Sequence, residues 1–282
     1  DRVNFIPRLA MIYKFGERED RANYLRLTYG SAIKQASVFD NASDVMSTFS
    51  GANKPSLLPE RIRTLELGYT FKFDLEDYRL KSKKLFIINA NLFRNDLSQL
   101  ITRNTDIVNG TYVTRSKNSG EQITNGVELI SNISYKFPRD GEKRPFIISS
   151  DANITYQKTV NIDSLGEKNE RVSFSPNLLG GANMSLTLSD FKKRGVFMGN
   201  MIFTIGFNYV GSMQAYYESD TTNSDFGILP PRFIGESTDD YFRWSANVRF
   251  NSIRFFDEEV GGFYFNIKVD NLLNTEYRYP TY

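Results

Sequence analysis

The sequence predicts an all-β chain, a transmembrane antiparallel up-and-down β-barrel. Three observations predict it. Apolar and polar residues alternate with a period of two along many long segments. The connections between those segments are alternately short and long. Aromatic residues stand beside every short connection.

The alternation is clearest at 65–73, where Leu65, Leu67, Tyr69, Phe71 and Phe73 interleave with Glu66, Gly68, Thr70 and Lys72. Successive strand side chains point to opposite sides, so a strand separates these two sets; a helix would mix them on every face. The same pattern runs through 127–137, 182–188, 201–209, 242–250 and 263–270, and more weakly through 8–15, 24–33, 85–100 and 146–157. These segments predict about ten strands. The longer ones match the roughly 9–11 residues that a tilted strand needs to cross a bilayer.

The connections near 16–22, 74–83, 138–144, 190–195 and 257–262 are short and charged. Those near 35–59, 103–124, 159–175 and 213–240 are long and rich in Ser, Thr, Asn, Asp, Gly and Pro. In a meander every second connection lies on the same side. All short turns therefore fall on one side and all long loops on the other, the layout of an outer-membrane barrel. Phe15 and Tyr24, Phe73 and Phe86, Phe137 and Phe146, Phe191 and Phe197, and Phe256 and Phe263 flank the five short turns, as an interfacial aromatic girdle requires. Tyr29, Tyr156, Tyr209 and Trp244 are candidates for a second girdle near the long loops. Aromatics are also good strand formers, which is the plainer account of the same residues.

Composition narrows the function. The chain has 282 residues, 40% hydrophobic and 24% charged, which suits one or two ordinary domains or one large β domain and not a disordered tail. A net charge of +2 gives no electrostatic case for nucleic-acid binding. Cysteine and histidine are absent, which excludes disulfides, thiol nucleophiles, imidazole metal sites and Ser-His-Asp catalysis. No apolar run reaches the length of a membrane-spanning helix. A mean hydropathy of -0.41 resembles that of a soluble protein and also fits a barrel whose lumen side chains are polar.

A β-sandwich also alternates, but its connections have no reason to sort by parity, and its polar face meets bulk water, typically with Lys and Glu. Here the polar positions include many Asn, Ser, Thr and Gly residues, which suit a crowded hydrated lumen.

Several segments resemble the C-terminal barrel of the TonB-dependent outer-membrane receptors. Lys54-Pro55-Ser56-Leu57-Leu58-Pro59-Glu60, continuing to Glu66-Leu67-Gly68-Tyr69, is similar to the stretch by which a long loop enters a barrel strand. Asn89 to Ile101 resembles the strand that follows. Asn118-Ser119-Gly120, continuing to Gly126-Val127-Glu128-Leu129, is similar to the next one. Val269-Asp270-Asn271-Leu272-Leu273-Asn274-Thr275-Glu276-Tyr277 resembles the signature before the final loop, and Leu25 to Gly30 an earlier strand. Leu273, where the family often has Phe, and Lys34-Gln35-Ala36-Ser37, where it often has Arg-Ala-Pro, depart from the pattern and leave the subfamily open.

The resemblance implies a 22-stranded barrel closed by a plug, of which residues 1–282 form one partial domain, with the plug, the early strands and the last strand lying outside it. It implies a multi-pass barrel in the outer membrane of a Gram-negative type bacterium. The partners are then outer-membrane lipid, a TonB complex reached through the N-terminal region, and a nutrient ligand at the extracellular loops, of the iron-siderophore, haem, cobalamin or glycan class. No cofactor, metal, nucleic acid or enzymatic activity is expected.

Parity assigns Glu66, Glu128, Arg243 and Asn247 to the lumen side, and Leu67, Phe203 and Trp244 to lipid. The loop aromatics Tyr216, Tyr217 and Phe226 are candidates for stacking on a ligand, with loop self-packing as the alternative. Ser219, Asp220, Asn223, Ser224 and Asp225 offer oxygen ligands for calcium, although the spacing is not that of an EF-hand and a solvated acidic loop is the simpler explanation. The tripeptides starting at Asn132, Asn153 and Asn183 match glycosylation sequons but lie inside predicted strands. The charge groups at 139–144 and 192–194 read as solvated turns. Three other functions are open: a passive porin, a soluble β-sandwich carbohydrate-binding or adhesin module, and an outer-membrane enzyme, whose usual triad the missing histidine removes.

Overall fold

The computed structural model describes residues 4–37, 57–77, 82–108, 111–118, 120–137, 146–162, 168–169, 175–188, 192–193, 196–197, 199–213, 237–253 and 263–277. The period-two segments are strands, and among the described residues there is no helix. The wall strands are β1 (Arg8–Arg18), β2 (Arg21–Lys34), β3 (Glu60–Asp77), β4 (Ser82–Ser98), β7 (Glu121–Phe137), β8 (Phe146–Ile162), β10 (Leu178–Leu188), β13 (Asn200–Val210), β14 (Tyr241–Ile253) and β15 (Phe263–Asp270). Each pairs antiparallel with the next in that order, so the ten strands form an up-and-down meander, open at β1 and β15. The remaining strands lie in connections. β5 (Ile101–Val108) and β6 (Thr111–Asn118) pair as a separate hairpin, β9 (Lys168–Asn169) adds to the end of β8, and β11 (Lys192–Lys193) pairs with β12 (Val196–Phe197).

Directly opposed residues share a face, so the register extends parity from one strand to the whole sheet. One continuous row joins Met11, Leu27, Leu67, Leu92, Val127, Tyr156 and Leu178. A second joins Leu186, Phe203, Val248 and Ile267 on the same face. The reverse face carries rows such as Asn153, Gly181, Asn208 and Arg243.

Among the described residues the buried hydrophobics are Ala22 and Met213, while Leu67 is 42% and Ile205 57% exposed. Water-soluble folds bury such side chains. No second sheet covers the apolar face among the described residues, so this is not the two-layer packing of a sandwich. On β7 the apolar positions run from Val127 to Phe137. Ten residue steps of about 3.3 Å, tilted by about 40°, give about 25 Å, the height of an outer-membrane barrel's apolar band.

Aromatic pairs mark one edge of this band. The rings of Phe137 and Phe146 stack at 4.3 Å, Phe71 and Phe86 meet edge to face at 6.1 Å, and Phe15 reaches over β2 to Tyr69 at 6.5 Å. At the other edge Tyr209 packs on Phe242 at 4.7 Å and Phe207 on Trp244 at 5.3 Å.

Two expectations change. Tyr24 does not join the girdle, because it opposes Lys14 on the polar face and lies beneath its ammonium at 6.0 Å. The long connections are also partly ordered. β3, β4, β7 and β8 continue well beyond a bilayer's needs, and the stretch near 103–124 contains the hairpin β5–β6.

Candidate functional site: a carboxylate network on the polar face

Two adjacent rows of the polar face carry its densest chemistry. The first places Arg26 of β2, Gly68 of β3, Asn91 of β4 and Glu128 of β7 directly opposite one another. The second places Thr28, Glu66, Phe93 and Gly126 in the same order. Gly68 leaves room for its neighbours to meet above it: a Cβ there would stand 2.7 Å from Asn91 Oδ1 and 3.4 Å from Arg26 Nε. Across that space Arg26 Nη2 donates to Asn91 Oδ1 at 3.4 Å, and the Asn91 amide donates to Glu128 Oε2 at 3.2 Å. Arg26 also lies 3.7 Å from Glu66 Oε2, which accepts from Thr28 Oγ1 at 3.2 Å.

Glu66 and Glu128, on strands separated by β4, are thus joined through Arg26 and Asn91. One guanidinium faces two carboxylates, which leaves the cluster a net negative charge. The Arg26 and Glu66 side chains are 46% and 37% exposed, so water screens their attraction. Such a cluster holds side chains in register while it keeps carboxylate oxygens available to a cationic or hydrogen-bonding group.

Arg243 and Asn247 share this face but not this cluster. They lie on β14, toward the opposite end of the sheet from β3, where Asn247 donates to Asn266 Oδ1 at 2.8 Å and Arg243 opposes Asn208. Leu67, Phe203 and Trp244 share the apolar face. Tyr216, Tyr217 and Phe226, and the calcium candidates from Ser219 to Asp225, lie outside the described residues. Among the described residues no group of Asp or Glu is placed to hold a metal ion.

At the long-loop end, sequence reasoning missed Asn118. Its amide nitrogen donates to Leu58 O and Gln99 O, both at 2.8 Å, and its oxygen accepts from Leu58 N at 2.7 Å. Glu60 Oε1 accepts from Ile101 N at 2.9 Å. The side chains of Asn118 and Glu60 therefore tie the base of the β5–β6 hairpin to the segment that enters β3. The available signal was an Asn at the end of a long loop, a residue type that bonds to backbone. Arg26 and Asn91 were legible only after the register placed them beside Gly68.

The sequence model of the family described as "TonB dependent receptor-like, beta-barrel" matches residues 1–275. Neither the curated proteins nor the solved structures contain a match.

Proposed function

Because the chain belongs to the TonB-dependent receptor β-barrel family, we propose that it forms part of the wall of a barrel for TonB-energised uptake of a scarce nutrient. The family is one of receptors and transporters of the Gram-negative outer membrane, not of enzymes. The nutrient is of the iron-siderophore, haem, cobalamin or glycan class. The barrel is of the plugged, 22-stranded type, to which this chain contributes ten wall strands. TonB acts through the N-terminal region of the receptor, and ligand is captured by the long loops.

The single-layer sheet with its two chemically distinct faces carries this reading. Its apolar face needs a hydrocarbon surrounding, supplied by outer-membrane lipid. Its polar face, with Glu66, Glu128, Arg243 and Asn247, lines the lumen or meets the plug. The long connections share one end of the sheet and provide the capture surface, to which Tyr216, Tyr217 and Phe226 belong.

The test is uptake of radiolabelled candidate ligands by cells that carry the full-length protein, with and without a proton gradient. Uptake that stops when the gradient is dissipated supports energised transport. Equal uptake in both conditions points instead to a passive channel.

A further inference from the structure

The outward, apolar face changes character at one end of only part of the sheet. Beyond Leu65, Leu92, Val127 and Tyr156, the next positions on this face are Arg63 on β3, Arg94 on β4, Asn125 on β7 and Lys158 on β8, after which Ile123 and Val160 resume apolar side chains on β7 and β8. The register sets Arg94 opposite Asn125, and Asn125 opposite Lys158. Arg63 opposes Asp96, which also accepts from Arg94 Nε at 2.9 Å. Among the described residues three cations and one carboxylate thus lie on β3, β4 and β8, with neutral Asn125 between them, a net charge of +2 over about 14 Å at the usual interstrand spacing. Arg63, Arg94, Asn125 and Lys158 are all exposed.

Among the described residues the corresponding ends of β10, β13 and β14 carry no cation on this face. They end in Leu178, Tyr209 and Phe242, and the Tyr209 hydroxyl donates to Asp240 Oδ2 at 3.0 Å. A general need for polar residues at the membrane edge would place cations there as well.

Below the basic row the apolar face is hollowed. A trough of about 520 Å³ crosses β7, β8, β10 and β13 and reaches Phe242 of β14, with Asp240 at its upper end. Its floor is made low by Ala152, Gly180 and Ala182, which the register brings side by side with Ser131 and Ile154. Leu129 and Ile154 wall it on one side, and Phe207 and Tyr209 on the other. Ile154 stands four residues below Lys158 on β8, about 13 Å along the strand. Tyr156, between them, carries the apolar surface up to the cations.

We infer that this face holds one anionic, phosphate-bearing lipid, with its phosphate on Arg63, Arg94 and Lys158 and an acyl chain in the trough floored by Ala152, Gly180 and Ala182. The chemistry selects that occupant. A hydrocarbon chain fits an apolar channel open to the membrane, and a phosphate is the anionic group that sits at the boundary just above it. Asp240 repels a phosphate from the β13–β14 side and directs the headgroup toward β4–β8. The inference rests on the reading of this face as membrane-facing.

The test uses the full-length protein in mild detergent and native mass spectrometry, with phosphatidic acid, diacylglycerol of the same chains and inorganic phosphate as probes. Phosphatidic acid is expected to be retained over diacylglycerol by roughly tenfold, from two net positive charges near the surface. The triple variant Arg63→Gln, Arg94→Gln, Lys158→Gln should lose that preference. If it assembles poorly, Lys158→Glu alone should cut the preference severalfold. Ala152→Leu with Ala182→Leu should weaken both lipids together and keep the preference. A preference that survives the charge variants overturns the site, as does competition by inorganic phosphate at the lipid's own concentration. Assembly of Leu67→Arg separates the two levels. If it assembles normally, the membrane-facing reading itself fails; if it does not, and the charge variants keep the preference, only the lipid site fails.

Discussion

The ring of Phe93 lies over the backbone of Gly126, the residue opposite it on the polar face. A Cβ built on Gly126 would meet Phe93 Cε1 at 2.7 Å and Cε2 at 2.9 Å, with Cζ nearer still. The Phe93 ring therefore takes this position because its neighbour has no side chain. The glycine gives up strand propensity, and the ring covers the backbone thus exposed.

Gly126→Val is expected to displace Phe93 at a cost of about 1–3 kcal/mol, the usual range for overpacking. Phe93→Ala removes the clash, so the double variant should be less destabilised than the two single effects summed. The folded fraction in urea titrations of the full-length protein in detergent measures this. Additive costs would show that the ring and the glycine are uncoupled.

Leu67→Arg and Phe203→Arg, each one same-face position in from the end of the apolar band on its strand, should cost up to about 2–4 kcal/mol, the mid-bilayer value, and impair assembly in the outer membrane. Asn208→Arg, on the opposite face, should be tolerated far better. The amount of folded, membrane-extracted protein reads this directly. Equal tolerance of all three would overturn the assignment of faces.

The strands and their faces were legible in the sequence because a wall between lipid and water imposes its own period. Leu65 to Phe73 shows this without interruption. The weaker segments have a physical reason: Leu85, Ile87 and Phe93 on β4, and Ile147 on β8, lie on the polar face and blur the alternation. The hairpin β5–β6 was not legible. It stands apart from the wall, so no two-sided environment writes a period into Ile101 to Asn118. The carboxylate network was half legible. Parity put Glu66 and Glu128 on one face, but only the register between β2, β3, β4 and β7 brought Arg26 and Asn91 between them.

Arg26→Ala should change stability by at most about 1 kcal/mol, since its pairing with Glu66 is half exposed. The change should shrink further as salt is raised, because screening already weakens the pair. Asn91→Ala breaks the neutral link to Glu128 and should show no such salt dependence. Urea titrations at low and high salt distinguish the two variants.

Asn118→Ala removes three hydrogen bonds to Leu58 and Gln99 and should loosen the base of the β5–β6 hairpin. The expected cost is about 1–3 kcal/mol, confined to this end of the sheet. Hydrogen exchange at the Leu58 amide should accelerate while exchange at Leu129 stays unchanged. Asn118→Asp keeps an acceptor for Leu58 N but turns a carboxylate toward two carbonyl oxygens. It should therefore rescue nothing.

The turn after β15 gives the last prediction. Asn271 and Asn274 adopt φ of 55° and 51°, in the left-handed region where Asn is better tolerated than most residues. They differ in what their side chains do. Asn271 Oδ1 accepts from Thr275 N at 2.9 Å and its amide donates to Thr275 O at 3.0 Å, whereas Asn274 uses its backbone N to reach Asn271 O at 2.9 Å. The turn carries Tyr277 back onto Tyr241 of β14, with ring centres 5.0 Å apart. Asn274→Gly keeps the backbone freedom and should cost little. Asn271→Gly loses two hydrogen bonds and should cost about 1–2 kcal/mol. Asn271→Ala adds the left-handed penalty of about 1–2 kcal/mol and should be the most damaging. Protease cleavage between Asn271 and Tyr277 in the folded full-length protein should rise in that order. Equal cleavage of the two Asn271 variants would show that conformation contributes nothing beyond the side-chain bonds.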